Sequence, residues 1–146
     1  MKKKFEGFTL IELLVVVAVI GTLAAVGVYS YNGYIKSSKK TSAKNTMMQI
    51  GLAQTEYYSN SGFYWYNGLN DDDDTSCADE KSTKKIGSVF FEKEGYIDAS
   101  IDYHFCIVAD SSSYTVRAIS TDKDDEGKNI CILTLDESGV VDDSNC

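Results

Sequence analysis

GFTLIELLVVVAVIGTLAAVGV, residues 7–28, decides the fold of this chain. From Phe8 to Val28 it is apolar apart from a single charge, the carboxylate of Glu12. A membrane-spanning helix needs about 20 mainly apolar residues, so the run is long enough to cross a bilayer. Insertion scales put an ionised acid at the centre of such a helix at roughly 2.5–3.5 kcal/mol, so a chain that keeps one is expected to supply it with a partner. Upstream, Met1 to Gly7 read MKKKFEG, with three lysines and one glutamate. Lysines ahead of the helix leave Met1 in the cytoplasm and send Tyr29 onward to the outside.

Two plain readings compete for this segment. A cleaved secretory signal also has a basic start and an apolar stretch before small residues, and Leu23-Ala24-Ala25 could imitate its cut. Glu12 near the head of the core weakens that reading. A simple single-pass anchor tolerates Glu12 near the interface but gives no reason for the order Gly7-Phe8-Thr9-Leu10-Ile11-Glu12.

Downstream, the chain has no proline and no strong breaker before about Ser59. Met47, Ile50, Ala53 and Tyr57 recur at three- and four-residue spacing, with Lys36, Lys39, Lys40 and Lys44 on the polar side. The pattern predicts one helix from Phe8 to roughly Asn60, about 80 Å long at 1.5 Å per residue. Its first half is apolar all round; its second half has one apolar face, as expected of a segment packed on a globular head. Gly21, Gly27 and Gly33 each weaken the helix by about 1 kcal/mol relative to alanine. They either loosen it, most readily around Gly27–Gly33, or let neighbouring helix backbones approach.

Asn60-Ser61-Gly62 ends the helix, and Phe63-Tyr64-Trp65-Tyr66 reads as an aromatic cluster for a core or a subunit contact. An acidic loop, Asp71 to Asp74, then leads to Cys77. Beyond it the period shifts to two. Residues 104–108 and 114–119 read as paired strands across the turn Asp110–Ser113, residues 130–135 as a third strand, and Val140-Val141 as a short edge after Glu137-Ser138-Gly139. Strands that follow a long helix indicate an α+β fold, with an antiparallel sheet on one helix face. The roughly 85 residues after the helix form a head small enough to need staples. Its four cysteines predict two disulfides, with three possible connectivities. Zinc is the rival use, but there is no CxxC spacing, and the single histidine, His104, reads as a surface strand residue.

Charge narrows the function classes. From Asn45 to Cys146 there are seven lysines and arginines against twenty aspartates and glutamates. Nucleic-acid contact depends on clustered cations, and only Lys81, Lys84 and Lys85 offer a patch, beside acids. A DNA-binding head is therefore disfavoured, and the acidic surface suits a soluble exterior. Asp122-Lys123-Asp124-Asp125-Glu126-Gly127 half-matches a calcium loop, but its twelfth position is Leu133 and the flanks are not helical. Weak calcium binding there or at Asp71–Asp74 is left open, and so is a glycan in the turn Ser111-Ser112-Ser113. The sequence carries no Ser-His-Asp order, phosphate-binding glycine loop or dinucleotide fingerprint, so no enzyme, cofactor or bound metal is expected.

The basic leader, Gly7-Phe8, Glu12 five positions after the glycine and the unbroken run Leu13 to Gly21 together resemble the processing motif of type IV pilins and related type II secretion pseudopilins. The resemblance implies a leader 1–7 cut between Gly7 and Phe8 by prepilin peptidase, with Phe8 N-methylated. It also implies a membrane and filament-core helix over 8–33 and a head over 34–146. Glu12 would then pair with the α-ammonium of a neighbour's Phe8, making one compensated pair from two buried charges. The stretch around Cys131, Asp136, Gly139 and Cys146 looks like the family's carboxy-terminal disulfide loop, which implies Cys131–Cys146 and leaves Cys77–Cys106. The implied life cycle is a single-pass inner-membrane protein that becomes part of an extracellular filament. Its implied partners are other pilins, prepilin peptidase, and the assembly platform with its ATPase. A type II secretion pseudopilin and a DNA-uptake minor pilin are the alternatives.

Overall fold

A computed structural model describes residues 7–67, 79–110, 112–127 and 131–146. The main helix, α1, runs Leu10–Ser61. With no proline to break it, it stops where glycine allows a left-handed turn. Gly62 has φ +79°, and its N–H donates to the Tyr58 carbonyl at 2.8 Å, satisfying one of the last orphan carbonyls. Contacts divide the chain into two compact units between Ser38 and Lys39. In the first, every residue from Phe8 to Val28 is exposed.

In the second unit, the α1 stripe Ala43, Met47, Ile50 and Gln54 is completely buried. Ala53 and Tyr57, expected in the stripe, lie half-buried at its margin. Facing the stripe is a four-stranded antiparallel meander: β1 (Tyr103–Ala109), β2 (Tyr114–Ser120), β3 (Ile132–Asp136) and β4 (Val141–Asn145), paired in that order. Period-two alternation sends Phe105 and Ile107, Val116 and Ala118, and Leu133 and Leu135 into one core with the helix. Helix and sheet come close because position 51 is glycine: a Cβ there would stand 3.1 Å from the Tyr114 hydroxyl and 3.2 Å from Leu135. The fourth strand is longer than the Val140-Val141 edge expected from sequence.

A second helix, α2 (Glu80–Phe90), was not expected. Asp79 caps it by accepting from the Ser82 N–H at 2.8 Å, and Thr83, Ile86 and Gly87 form its buried face. A Cβ on Gly87 would lie 2.9 Å from the Lys93 carbonyl, so this position must be small. The helix covers the outer edge of β1. Thr83 Oγ1 accepts from the Phe105 N–H and Asn67 Oδ1 from the Ile107 N–H, both at 2.8 Å. Asn67 also donates its backbone N–H to the Ile107 carbonyl at 3.2 Å and its amide to the Ser82 carbonyl at 3.0 Å.

Cys131 and Cys146 are joined, closing a 15-residue separation and tying the carboxy terminus to the start of β3. A loop of that length contributes about 3 kcal/mol in the chain-entropy model. Cys106 is buried and disulfide-bonded. Its expected partner, Cys77, lies outside the described residues, as do Ser111 and the Asp71–Asp74 run.

The aromatic cluster splits by position. Tyr64 and Trp65 pack against the core, while Phe63 and Tyr66 are exposed. Gln54 fixes this segment with both ends of its amide: Oε1 accepts from the Trp65 N–H at 3.0 Å, and Nε2 donates to the Trp65 carbonyl at 2.5 Å. Gln54→Leu leaves two backbone groups without partners and is expected to destabilise the head by roughly 1–3 kcal/mol. Urea unfolding of the full chain in detergent, followed by fluorescence of the single tryptophan, Trp65, measures this; an unchanged midpoint would contradict it.

Candidate functional site

The first unit has the properties of a surface meant to be covered. An 18-residue window of α1 has mean hydropathy 2.6, and none of it is buried. Phe8, Leu10 and Leu23 are each more than two-thirds exposed. A Cβ added at Gly21, Gly27 or Gly33 would meet nothing within 4 Å, so the small residues leave open notches along the helix. The expected processing residues fall just ahead of the first turn, with Gly7 and Phe8 exposed and Glu12 inside it.

Glu12 is engaged within its own chain. Its Oε2 accepts from the Thr9 N–H at 2.9 Å and the Thr9 hydroxyl at 2.7 Å, and its own N–H donates to Thr9 Oγ1 at 3.3 Å. This is a capping box, in which an N-cap hydroxyl and an acid three residues on satisfy each other's backbone donors. The sequence reading missed it, although the spacing Thr9-x-x-Glu12 before an apolar run is its usual signal.

In the head, the α1 lysines are structural. Lys39 pairs with Asp102, just ahead of β1. Lys44 and Lys40 both reach Asp143 of β4, at 2.8 and 3.0 Å. Lys44 and Lys40 hold the Asp143 carboxyl down to about 2. The backbone N–H groups of Ser112 and Ser113, with their hydroxyls, do the same for Asp110, also to about 2. On α2, Lys84 pairs with Glu80 at 2.8 Å, and Lys85 lies 5.9 Å from the centre of the Trp65 ring. The Lys81–Lys84–Lys85 patch is therefore partly spent on its own surroundings.

His104 is half-buried rather than a plain surface residue. It lines a cavity of about 620 Å³ with Glu80, Thr83, Ile97 and Asp98. Because α2 forms one wall, the sequence reading could not have found it. In the loop after β2, the Asp124 side chain accepts from the Glu126 N–H at 3.0 Å. Among the described residues, no three His, Cys, Asp or Glu side chains gather to hold a metal ion.

Residues 30–135 match the family model described as "Type IV minor pilin ComP, DNA uptake sequence receptor". The chain belongs to this type IV pilin family. Residues 2–28 match the prokaryotic N-terminal methylation motif. The pilin is 41% identical over 64 residues to the fimbrial protein EcpC of Eikenella corrodens, covering 44% of this chain and 42% of that one. It is 27% identical over 136 residues to the major pilin PilE of Neisseria gonorrhoeae, covering 93% and 71%. With a fimbrial protein of Neisseria meningitidis it shares 34% over 96 residues, covering 66% and 55%. Apart from PilE, the pilin spans less than two-thirds of the length of these relatives. No solved structure matches it.

The lysine pairs of Asp143 and the turn hydrogen bonds of Asp110 predict an acid response of the pilin head. Asp143 and Asp110 stay ionised in the folded head down to about pH 2, whereas an unfolded aspartate takes up its proton near pH 3.9. Their stabilisation is complete above that higher value and is lost as pH falls towards about 2, because the unfolded chain then binds more protons. Lys40→Ala combined with Lys44→Ala should make the loss between about pH 4 and 2 shallower. Urea midpoints measured at steps across that window check it; identical slopes for parent and variant would refute it.

Proposed function

We propose that this pilin is a structural filament subunit, cut between Gly7 and Phe8 by prepilin peptidase and methylated at Phe8. Before assembly it rests in the inner membrane by the helix from Phe8; after extraction that helix packs with its copies in the filament core. The observation that carries this reading is the wholly exposed apolar stretch Phe8–Val28, headed by Gly7-Phe8 and holding one acid, which matches the methylation motif. Lipid and a core of sibling helices are both apolar, so a modest bias from an assembly platform and its ATPase moves the subunit between them. The relatives named above are pilins or fimbrial proteins, which favours a pilus over a secretion pseudopilus.

In this reading, Glu12 pairs with the α-ammonium of a neighbour's Phe8, and removing one member of a buried pair costs roughly 3–5 kcal/mol. Glu12→Ala should therefore be processed normally yet add to filaments roughly a hundredfold more weakly or worse. Mass spectrometry of the mature amino terminus and electron microscopy of surface filaments test both halves. Normal filaments from Glu12→Ala would remove the pairing, and a mature chain that still begins at Met1 would remove the processing.

A second reading follows from the family description, which names a DNA uptake sequence receptor. Among the described residues, its side-chain support is the α2 lysines, two of which already face Glu80 and Trp65. Retention of the purified pilin on a DNA column at moderate salt would favour it.

A further inference from the structure

The capping box places Glu12 in a defined state before any neighbour arrives. Both donors of Thr9 converge on one carboxylate oxygen, Oε2, which fixes the rotamer of a side chain that would otherwise sample several. Among the described residues, none donates to the other oxygen, Oε1. The carboxylate also sits at the amino end of α1, where the first N–H groups and the helix dipole favour negative charge. We propose that Thr9 is a positioning residue for filament assembly: it holds Glu12 by Oε2 so that Oε1 is presented, already ordered, to the α-ammonium of the incoming subunit. This rests on the reading of Glu12 given under Proposed function. A preordered acceptor lowers the ordering cost at docking and so raises affinity without a new contact. The role needs a hydroxyl, because Oγ1 donates to the carboxylate and accepts from the Glu12 N–H at once. Valine copies the shape of threonine and can do neither; serine can do both.

The test is a double-mutant cycle on the full chain in cells, scored as filaments per processed subunit so that slower cleavage does not enter. Thr9→Val, with Thr9→Ala as a parallel variant, should lower that ratio about five- to tenfold, the change that loss of an ordinary cap corresponds to. Thr9→Ser should restore it. Glu12→Gln keeps a capping side chain but removes the charge, so adding Thr9→Val to it should cost nothing more. Parental filament levels in both Thr9→Val and Thr9→Ala would overturn the proposal. So would losses that simply multiply in the double variant, since Thr9 would then act as a helix cap alone. Full assembly of Glu12→Gln would instead defeat the charge-pair reading itself, and is recognisable as a separate result.

Discussion

The head is organised by one stripe of helix. Ala43, Met47, Ile50 and Gln54 give α1 a single dry face, and each strand of the meander that reaches the core packs on it. Removing that face would leave the sheet with one uncovered side and no second layer. Gly51 sets how near the layers come, and Gln54 carries the same face on to the Trp65 backbone by a polar route. The Cys131–Cys146 disulfide then closes the strand furthest from β1 against its neighbour. Hydrophobic burial supplies the layer, and a few directional bonds define its limits.

The amino-terminal unit follows the opposite logic. Its stretch Phe8–Val28 buries nothing in the isolated chain, and the one charge in that stretch, Glu12, is satisfied locally by Thr9. A segment of this kind is stable in lipid, or among copies of itself, and exposed anywhere else. Membership of the type IV pilin family and the methylation-motif match fit that division.

Local signals were legible in the sequence. The apolar run, the end of α1 at Gly62, the alternation of β1 and β2 and the turn at Gly139 all depend on residues close in the chain. Helix α2 was not read, because its cap at Asp79 and its buried positions Thr83, Ile86 and Gly87 are few and follow an acidic loop. The pairings of Lys39 with Asp102 and of Lys40 and Lys44 with Asp143 join residues about sixty and a hundred positions apart, beyond the reach of any periodicity argument. The Thr9–Glu12 capping box was readable but hidden behind the family motif that shares its letters. His104 was misplaced for the same reason as the cavity it lines: its wall is α2.

The treatment of β1 has a consequence for how this protein can polymerise. With Thr83 and Asn67 occupying the N–H groups of Phe105 and Ile107, that flank offers little template to a foreign strand. At the far flank, β4 carries Asp142 and Asp143 and is disulfide-anchored beside its end, so a stacked copy would bring like charges together. Cross-β growth is thus discouraged from both sides of the sheet. Under the proposed function, fibre growth through the helix is then separated from amyloid growth through the strands.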